Sequence, residues 1–279
     1  MIVTRFAPSP TGLLHLGHAY AAITACEAGG RFVVRIEDID AGRCKPEYEA
    51  AILEDLRWLG LRFEQPVLRQ STRIAAYRAA LDELEARGLL YPCFCTRKDI
   101  AEEIARSVQA PHGPDGAVYP GLCRSLDQKE RARRIANGEV YALRLDAAKA
   151  AREAGTLFLD EQGAGPNGET GRIRIDPLKF GDVVLARKET PAAYHLAVVV
   201  DDAFQGVTLV TRGNDLFAAA HVQRLLQALL GLPAPVYAHH RLILDDEGRK
   251  FSKRDRAATL RALRESGVTP EEIRVRLNL

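Results

Sequence analysis

The chain has 279 residues, of which 47% are hydrophobic and 27% charged, a balance that excludes collagen, low-complexity disorder and a disulfide miniprotein. At roughly 150 residues per domain the length allows one large domain or two modest ones. With 39 Lys and Arg against 37 Asp and Glu the formal charge is +2, which neither requires nor excludes a nucleic-acid partner. No segment approaches the roughly 20 apolar residues of a membrane span, the longest suggestive run being Leu196 to Val200 before Asp201 and Asp202. No apolar signal core stands at the start, so the expected location is the cytoplasm.

In chain order, Ile2–Phe6 reads as a strand stopped by Pro8 and Pro10, and a helical pattern runs from Leu13 to Ala28. Phe32–Ile36 is a second buried strand, and Pro46–Leu59 a helix with proline in its first turn. Strand, helix and strand in this order make a βαβ unit, with ligands expected at the carboxyl ends of its strands. Ser71–Arg87 is the next helix, and Leu89–Cys95 is extended.

From Thr96 to Lys179 the texture changes: a loop at 110–121, a charged helix at Asp127–Ala136, and strands near Tyr141–Leu145 and Arg172–Asp176 read as an insertion. Strand-like sequence returns at Asp182–Ala186 and Val207–Thr211, where the parallel sheet is expected to resume, followed by an amphipathic helix at Leu216–Leu230. After His239 come a loop and two short basic helical segments. The expected division is a split α/β core (1–92 and 180–240), an insert (93–179) and a C-terminal part (241–279).

Chemistry concentrates at a few places. His15-Leu16-Gly17-His18 puts two imidazoles at a helix N-terminus, a setting that favours anions, and Gly17 lets a nucleotide come close. Lys250-Phe251-Ser252-Lys253-Arg254 is a basic loop, and the two segments together point to ATP; a solvated charged turn is the alternative for the loop. Cys93, Cys95 and Cys123 offer three thiolates for tetrahedral zinc, with Tyr119 or His112 as the fourth donor; three buried thiols without metal are the alternative. Gly163 to Gly168 matches G-x-G-x-x-G, but a strand follows instead of the helix that a dinucleotide site needs, so it reads as a flexible hairpin loop.

Arg5 to Gly12 running into His15–His18, then Arg35 to Asp40, Asp182, Ala193 to Ala197, Val200 to Asp202, Gly206-Val207, Arg212-Gly213 and Lys250 to Arg254 together resemble the class I glutamyl-tRNA synthetases. The first histidine pair resembles their HIGH signature. Lys250–Arg254 resembles KMSKS, with Phe251 for Met and Arg254 for the last Ser. The resemblance implies a Rossmann-like catalytic core with an inserted zinc-bearing acceptor-type subdomain. Only 25 residues follow Arg254, so no anticodon-binding domain is expected, as in the truncated paralogues that attach glutamate to the queuosine base in the anticodon of tRNA(Asp).

By the same resemblance, L-glutamate and ATP with Mg²⁺ form glutamyl-AMP without tRNA. His15, His18 and Lys253 act on the phosphates; Gly17 and Lys250 complete the ATP site. Arg5, Phe6, Ala7, Pro8 and Ser9 line the glutamate, Glu37 takes its ammonium, Tyr194 packs and hydrogen-bonds it, and Arg212 holds its side-chain carboxylate. The plainer alternatives are that Glu37 pairs only with Arg35, that Tyr194 is core, and that Arg212 makes a surface salt bridge. The family's Cys-x-Cys … Tyr-x-x-x-Cys pattern favours Tyr119 over His112 as zinc ligand. The expected protein is a monomer that meets no membrane. A synthetase catalytic fragment with a separate anticodon domain and a nonenzymatic tRNA-binding paralogue are rival functions, and a small H-x-G-H nucleotidyltransferase is disfavoured by the Arg5–Ser9, Glu37 and Arg212 set.

Overall fold

The computed structural model describes residues 1–106, 112–114, 116–187, 190–244, 248 and 259–279, with backbone only at Arg106 and His112. In chain order the first half runs β1 (Val3–Phe6), α1 (Leu16–Glu27), β2 (Arg31–Ile36), α2 (Pro46–Trp58), β3 (Leu68–Arg69), α3 (Ile74–Ala86), β4 (Leu90–Cys93), α4 (Arg97–Arg106), β5 (His112–Gly113), β6 (Gly116–Ala117) and α5 (Gln128–Ala136). The second half runs β7 (Ala142–Leu145), α6 (Ala147–Ala154), β8 (Phe158–Glu161), β9 (Gly171–Arg174), β10 (Val184–Arg187), α7 (Tyr194–Phe204), β11 (Leu209–Gly213), α8 (Ala219–Leu229), β12 (Val236–His240), α9 (Leu260–Glu265) and α10 (Pro270–Leu277).

β1, β2 and β3 pair in parallel, and β11, β12 and β8 do the same, with β9 antiparallel at the edge. The two groups meet where Thr208 N–H donates to Val3 O at 2.9 Å. Strand β1 therefore has chain on both sides, which is why every residue of it is buried, and helices α1 and α7 serve the first and second halves. The order of strands reverses at the β1/β11 seam, and the crevice outside the strand ends there is where such sheets bind ligands. Ala19, Ala22 and Ala25 give α1 a small-residue buried face for close approach to the sheet. Gly30 closes the α1–β2 turn at φ +81°, where a Cβ would stand 2.0 Å from Ile2 O.

Two local expectations change. Val184–Arg187, expected to rejoin the parallel sheet, instead pairs antiparallel with β7, which also pairs with β4. The 93–179 segment is shared between sheets, since β8 within it lies beside β12. The run Leu196 to Val200 is the middle of α7, buried through Val199; three consecutive valines hide its helical period. Gly163–Gly168 does form the loop of a hairpin, β8 to β9. Among the described residues no helix is long and apolar enough to cross a membrane.

The C-terminal helices return to the first βαβ unit: Leu260, Ile273 and Leu277 share a core with Leu14, Ile23 and Leu56. Asp55 of α2 is buried there, 3.7 Å from the Arg264 guanidinium, and neither of its oxygens has a hydrogen bond among the described residues. Burial raises its pKa to about 6, with Arg264 and Arg261 opposing. The folded value exceeds the unfolded one of about 4, so the folded state binds more protons between those values and stability falls as pH rises from about 4 to about 6. Asp55→Asn is expected to gain about 1–2 kcal/mol at pH 8 and nothing at pH 4 by urea unfolding, allowing for solvent screening.

Candidate active site

Segments following the ends of β1, β2 and β11 and the start of α7 converge on a cleft of about 430 Å³. Its walls include Arg5, Phe6, Ala7, Pro8, Ser9, His18, Glu37, Tyr194 and Arg212. The eight residues expected to contact glutamate thus face one space, together with one histidine of the expected phosphate pair. A larger opening of about 810 Å³ is lined by Gly113, Asn167 and Phe217, and by none of the eight residues expected to contact glutamate.

The charges are ordered by Asp202, which α7 presents to the buried arginines of β1 and β2. Its Oδ1 accepts from Arg35 Nη1 at 2.7 Å and from Arg5 Nε at 3.3 Å, while Arg5 Nη1 donates to Thr211 O at 3.1 Å. Burial alone would raise the Asp202 carboxyl, yet the Arg35 and Arg5 charges hold it below the usual carboxylate range. Glu37 lies 3.4 Å from Arg35 Nη2, so the expected alternative contact exists, but Glu37 also lines the cleft. Burial pushes the Glu37 carboxyl up despite that neighbour, leaving it suited to a further cation such as an ammonium.

Tyr194 is 39% exposed at the start of α7 and so is not core. Arg212 is only 5% exposed, so it is not a surface residue. Its Nε donates to His239 Nε2 at 3.0 Å and its Nη1 to Gln223 Oε1 at 2.8 Å; Nη2 is buried and has no hydrogen-bond partner among the described residues.

His15 precedes α1 and its ring lies 3.8 Å from that of His18, whose Nδ1 accepts from the His15 backbone N–H at 3.2 Å. A Cβ on Gly17 would come within 3.1 Å of the His15 ring. Lys250 and Lys253 lie outside the described residues, but the first described residue after them, Thr259, bridges to His15, and Leu260 N–H donates to Leu14 O at 2.8 Å. The far flank of the basic segment therefore rests on the histidine motif.

A second cluster joins β4 to the chain before α5. Cys95 Sγ and Cys123 Sγ are 3.4 Å apart, and Tyr119 Oη lies 3.3 Å from Cys93 Sγ and 3.5 Å from Cys95 Sγ. All three sulfurs fall within 4.8 Å of one another, against the sulfur spacing of about 3.8 Å that tetrahedral zinc requires. These four donors fit a zinc ion; the His112 side chain lies outside the described atoms. Burial pushes the Cys95 thiol up to about 12, whereas hydrogen bonds from Tyr119 and Arg144 outweigh burial at Cys93 and hold its thiol below the ordinary value.

Sequence reasoning quoted Arg35 and Asp202 without assigning them work, and it missed Glu161, His239 and Gln223. No local signal marks these three, because only the tertiary arrangement brings Glu161, His239 and Gln223 to Arg212.

Residues 1–279 match the family model of the class I tRNA synthetases (E and Q), catalytic domain. The chain is 52% identical to a glutamyl-Q tRNA(Asp) synthetase of Rhodobacter capsulatus over 98% of both chains, and 44% identical to one of Nocardia farcinica over 96% of this chain and 81% of that one. In fold it is similar to a glutamate tRNA ligase from Elizabethkingia meningosepticum solved in complex with its amino acid. That match has TM-score 0.72 and 29% identity, covering 91% of this chain and 52% of the ligase.

Proposed function

Since the chain belongs to the class I glutamyl and glutaminyl tRNA synthetase catalytic-domain family, we propose that it is an ATP-dependent ligase that activates L-glutamate without tRNA. It then transfers the glutamyl group to the queuosine base of tRNA(Asp). The observation that carries this reading is the single cleft in which Arg5, Arg212 and Glu37 face the same space as His18. Two guanidinium groups and one carboxylate complement an amino acid with two carboxylates and one ammonium.

In the first step the α-carboxylate of glutamate attacks the α-phosphate of ATP, an O–P bond forms, and pyrophosphate leaves. The step needs alignment and charge neutralisation more than proton transfer. His15 and His18 at the α1 N-terminus meet the phosphates, Gly17 leaves room for the nucleotide, and Lys250 and Lys253 close on the departing pyrophosphate with Mg²⁺. Arg212 holds the side-chain carboxylate, Glu37 the ammonium, and Tyr194 with Arg5–Ser9 the rest. In the second step a cyclopentene hydroxyl of queuosine attacks the glutamyl carbonyl carbon, AMP departs, and the hydroxyl proton is released.

Acceptance of glutamate by queuosine-containing tRNA(Asp) beside its guanosine-containing counterpart tests the reading. Charging of the first alone supports it; acylation of a tRNA(Glu) 3′ end supports a glutamyl-tRNA synthetase instead, and activity with neither supports a nonenzymatic tRNA-binding paralogue.

Cys93, Cys95, Tyr119 and Cys123 hold one structural zinc that ties the inserted subdomain together, and the protein acts as a cytoplasmic monomer. Metal analysis of the purified chain is expected to give one zinc per chain. Cys123→Ser is expected to lower that content at least fivefold and to expose the 93–145 region to proteolysis, because a structural zinc contributes folding free energy directly.

A further inference from the structure

We infer that Glu161 and His239 are positioning residues for substrate recognition: a buried carboxylate and imidazole that fix the plane of the Arg212 guanidinium at the cleft wall and leave its Nη2 for the substrate carboxylate. The inference deepens the proposed function and rests on its assignment of Arg212 to the glutamate side chain.

The three residues come from adjacent parallel strands. Arg212 on β11 and His239 on β12 are register partners, and Glu161 on β8 pairs with Tyr237 two residues earlier on β12. Glu161 Oε2 lies 2.5 Å from His239 Nδ1, and its Oε1 accepts from the backbone N–H groups of His239 and Gly163, each at 2.8 Å. The His239 and Glu161 side chains are both fully buried.

Arg212 Nε can only donate, so His239 Nε2 must present a lone pair to it. The ring then carries its proton on Nδ1, and that N–H donates a hydrogen bond to the Glu161 carboxylate. One carboxylate, oriented by two backbone donors, thereby fixes the imidazole tautomer, and the tautomer fixes the guanidinium. Burial lowers the His239 pKa, which keeps the ring neutral as this line requires.

A planar group held at Nε by His239 and at Nη1 by Gln223 has no rotational freedom left, so the direction of Nη2 is set. Nη2 is also the nitrogen without a hydrogen-bond partner among the described residues, on a residue that is 5% exposed and lines the cleft. A buried N–H pair left unsatisfied by the protein is explained by a ligand that satisfies it. The glycine-rich hairpin loop is part of the same device. Ala164 N–H donates to His239 O at 3.0 Å, and a Cβ on Gly163 would stand 2.1 Å from that oxygen, so only glycine lets the loop close against the His239 backbone.

The test is glutamate-dependent pyrophosphate exchange, with glutamate KM, ATP KM and kcat measured for Arg212→Lys, His239→Phe, His239→Gln and Glu161→Gln. His239→Phe is expected to raise glutamate KM at least tenfold with ATP KM unchanged and kcat within threefold. His239→Gln, whose amide can accept from Arg212 and donate to Glu161, is expected to recover most of that loss. Glu161→Gln preserves shape and keeps the inference testable should His239→Phe not fold; its expected effect is a three- to tenfold rise in glutamate KM alone. If Arg212→Lys leaves glutamate KM unchanged, the assignment of Arg212 fails. If Arg212→Lys raises it while folded His239 and Glu161 variants do not, or if those variants shift both KM values equally, the positioning role is overturned and the function stands.

Discussion

Arg212→Gln is expected to lower kcat/KM for glutamate in pyrophosphate exchange on the order of 100- to 1000-fold, with ATP KM unchanged. The reason is the uncommitted Nη2 of a guanidinium that is otherwise fully engaged by His239 and Gln223. Removing one partner of a buried charge pair costs about 2–5 kcal/mol, and each 1.4 kcal/mol is tenfold. A glutamine at this position reaches neither the distance nor the charge of the fork. In the proposed function this cationic fork is what discriminates glutamate from glutamine, so the variant is also expected to lose most of its preference for glutamate over glutamine, read from the two kcat/KM values.

Asp202→Ala is expected to destabilise the fold by about 3–5 kcal/mol, since removing one partner of a buried ion pair strands the other charge. Two buried arginines lose a partner here: Arg5, 5% exposed, loses the Asp202 carboxylate, and the fully buried Arg35 is left with Glu37 at 3.4 Å in place of its 2.7 Å contact. Domains of ordinary stability hold only about 5–15 kcal/mol, so the loss should show as a large fall in the urea midpoint with an unchanged slope. The Asp202 carboxyl sits below its ordinary value in the folded state, so its contribution is present above the unfolded pKa of about 4 and is lost as pH falls through the folded value. The wild-type chain is therefore expected to lose stability at acid pH more steeply than Asp202→Ala.

The parts of the site legible in the sequence are those carried by short segments that leave a strand or enter a helix. Arg5–Ser9 after β1, His15–His18 at α1 and Glu37 after β2 announce themselves through proline turns and chemistry packed into a few residues. The sheet order is not local, and nothing in Val184–Arg187 distinguishes a parallel neighbour from the antiparallel β7 it meets. Glu161 and His239 were illegible for a related reason. They are 78 residues apart, and each alone is an unremarkable residue at a strand end; only the β8–β12–β11 order puts them behind Arg212. The valine run of α7 concealed the helix that delivers Asp202. Lys250 and Lys253 stand outside the described residues, so their part in the account rests on resemblance and on the anchoring of Thr259 beside His15.

The central claim is that one cleft binds glutamate beside ATP and joins them. Exchange of labelled pyrophosphate into ATP, measured with the purified zinc-loaded chain and Mg²⁺ in the absence of any tRNA, addresses it directly. The account predicts exchange that requires L-glutamate and is at least 100-fold weaker with L-glutamine or L-aspartate; equal exchange with all three, or none with glutamate, would contradict it.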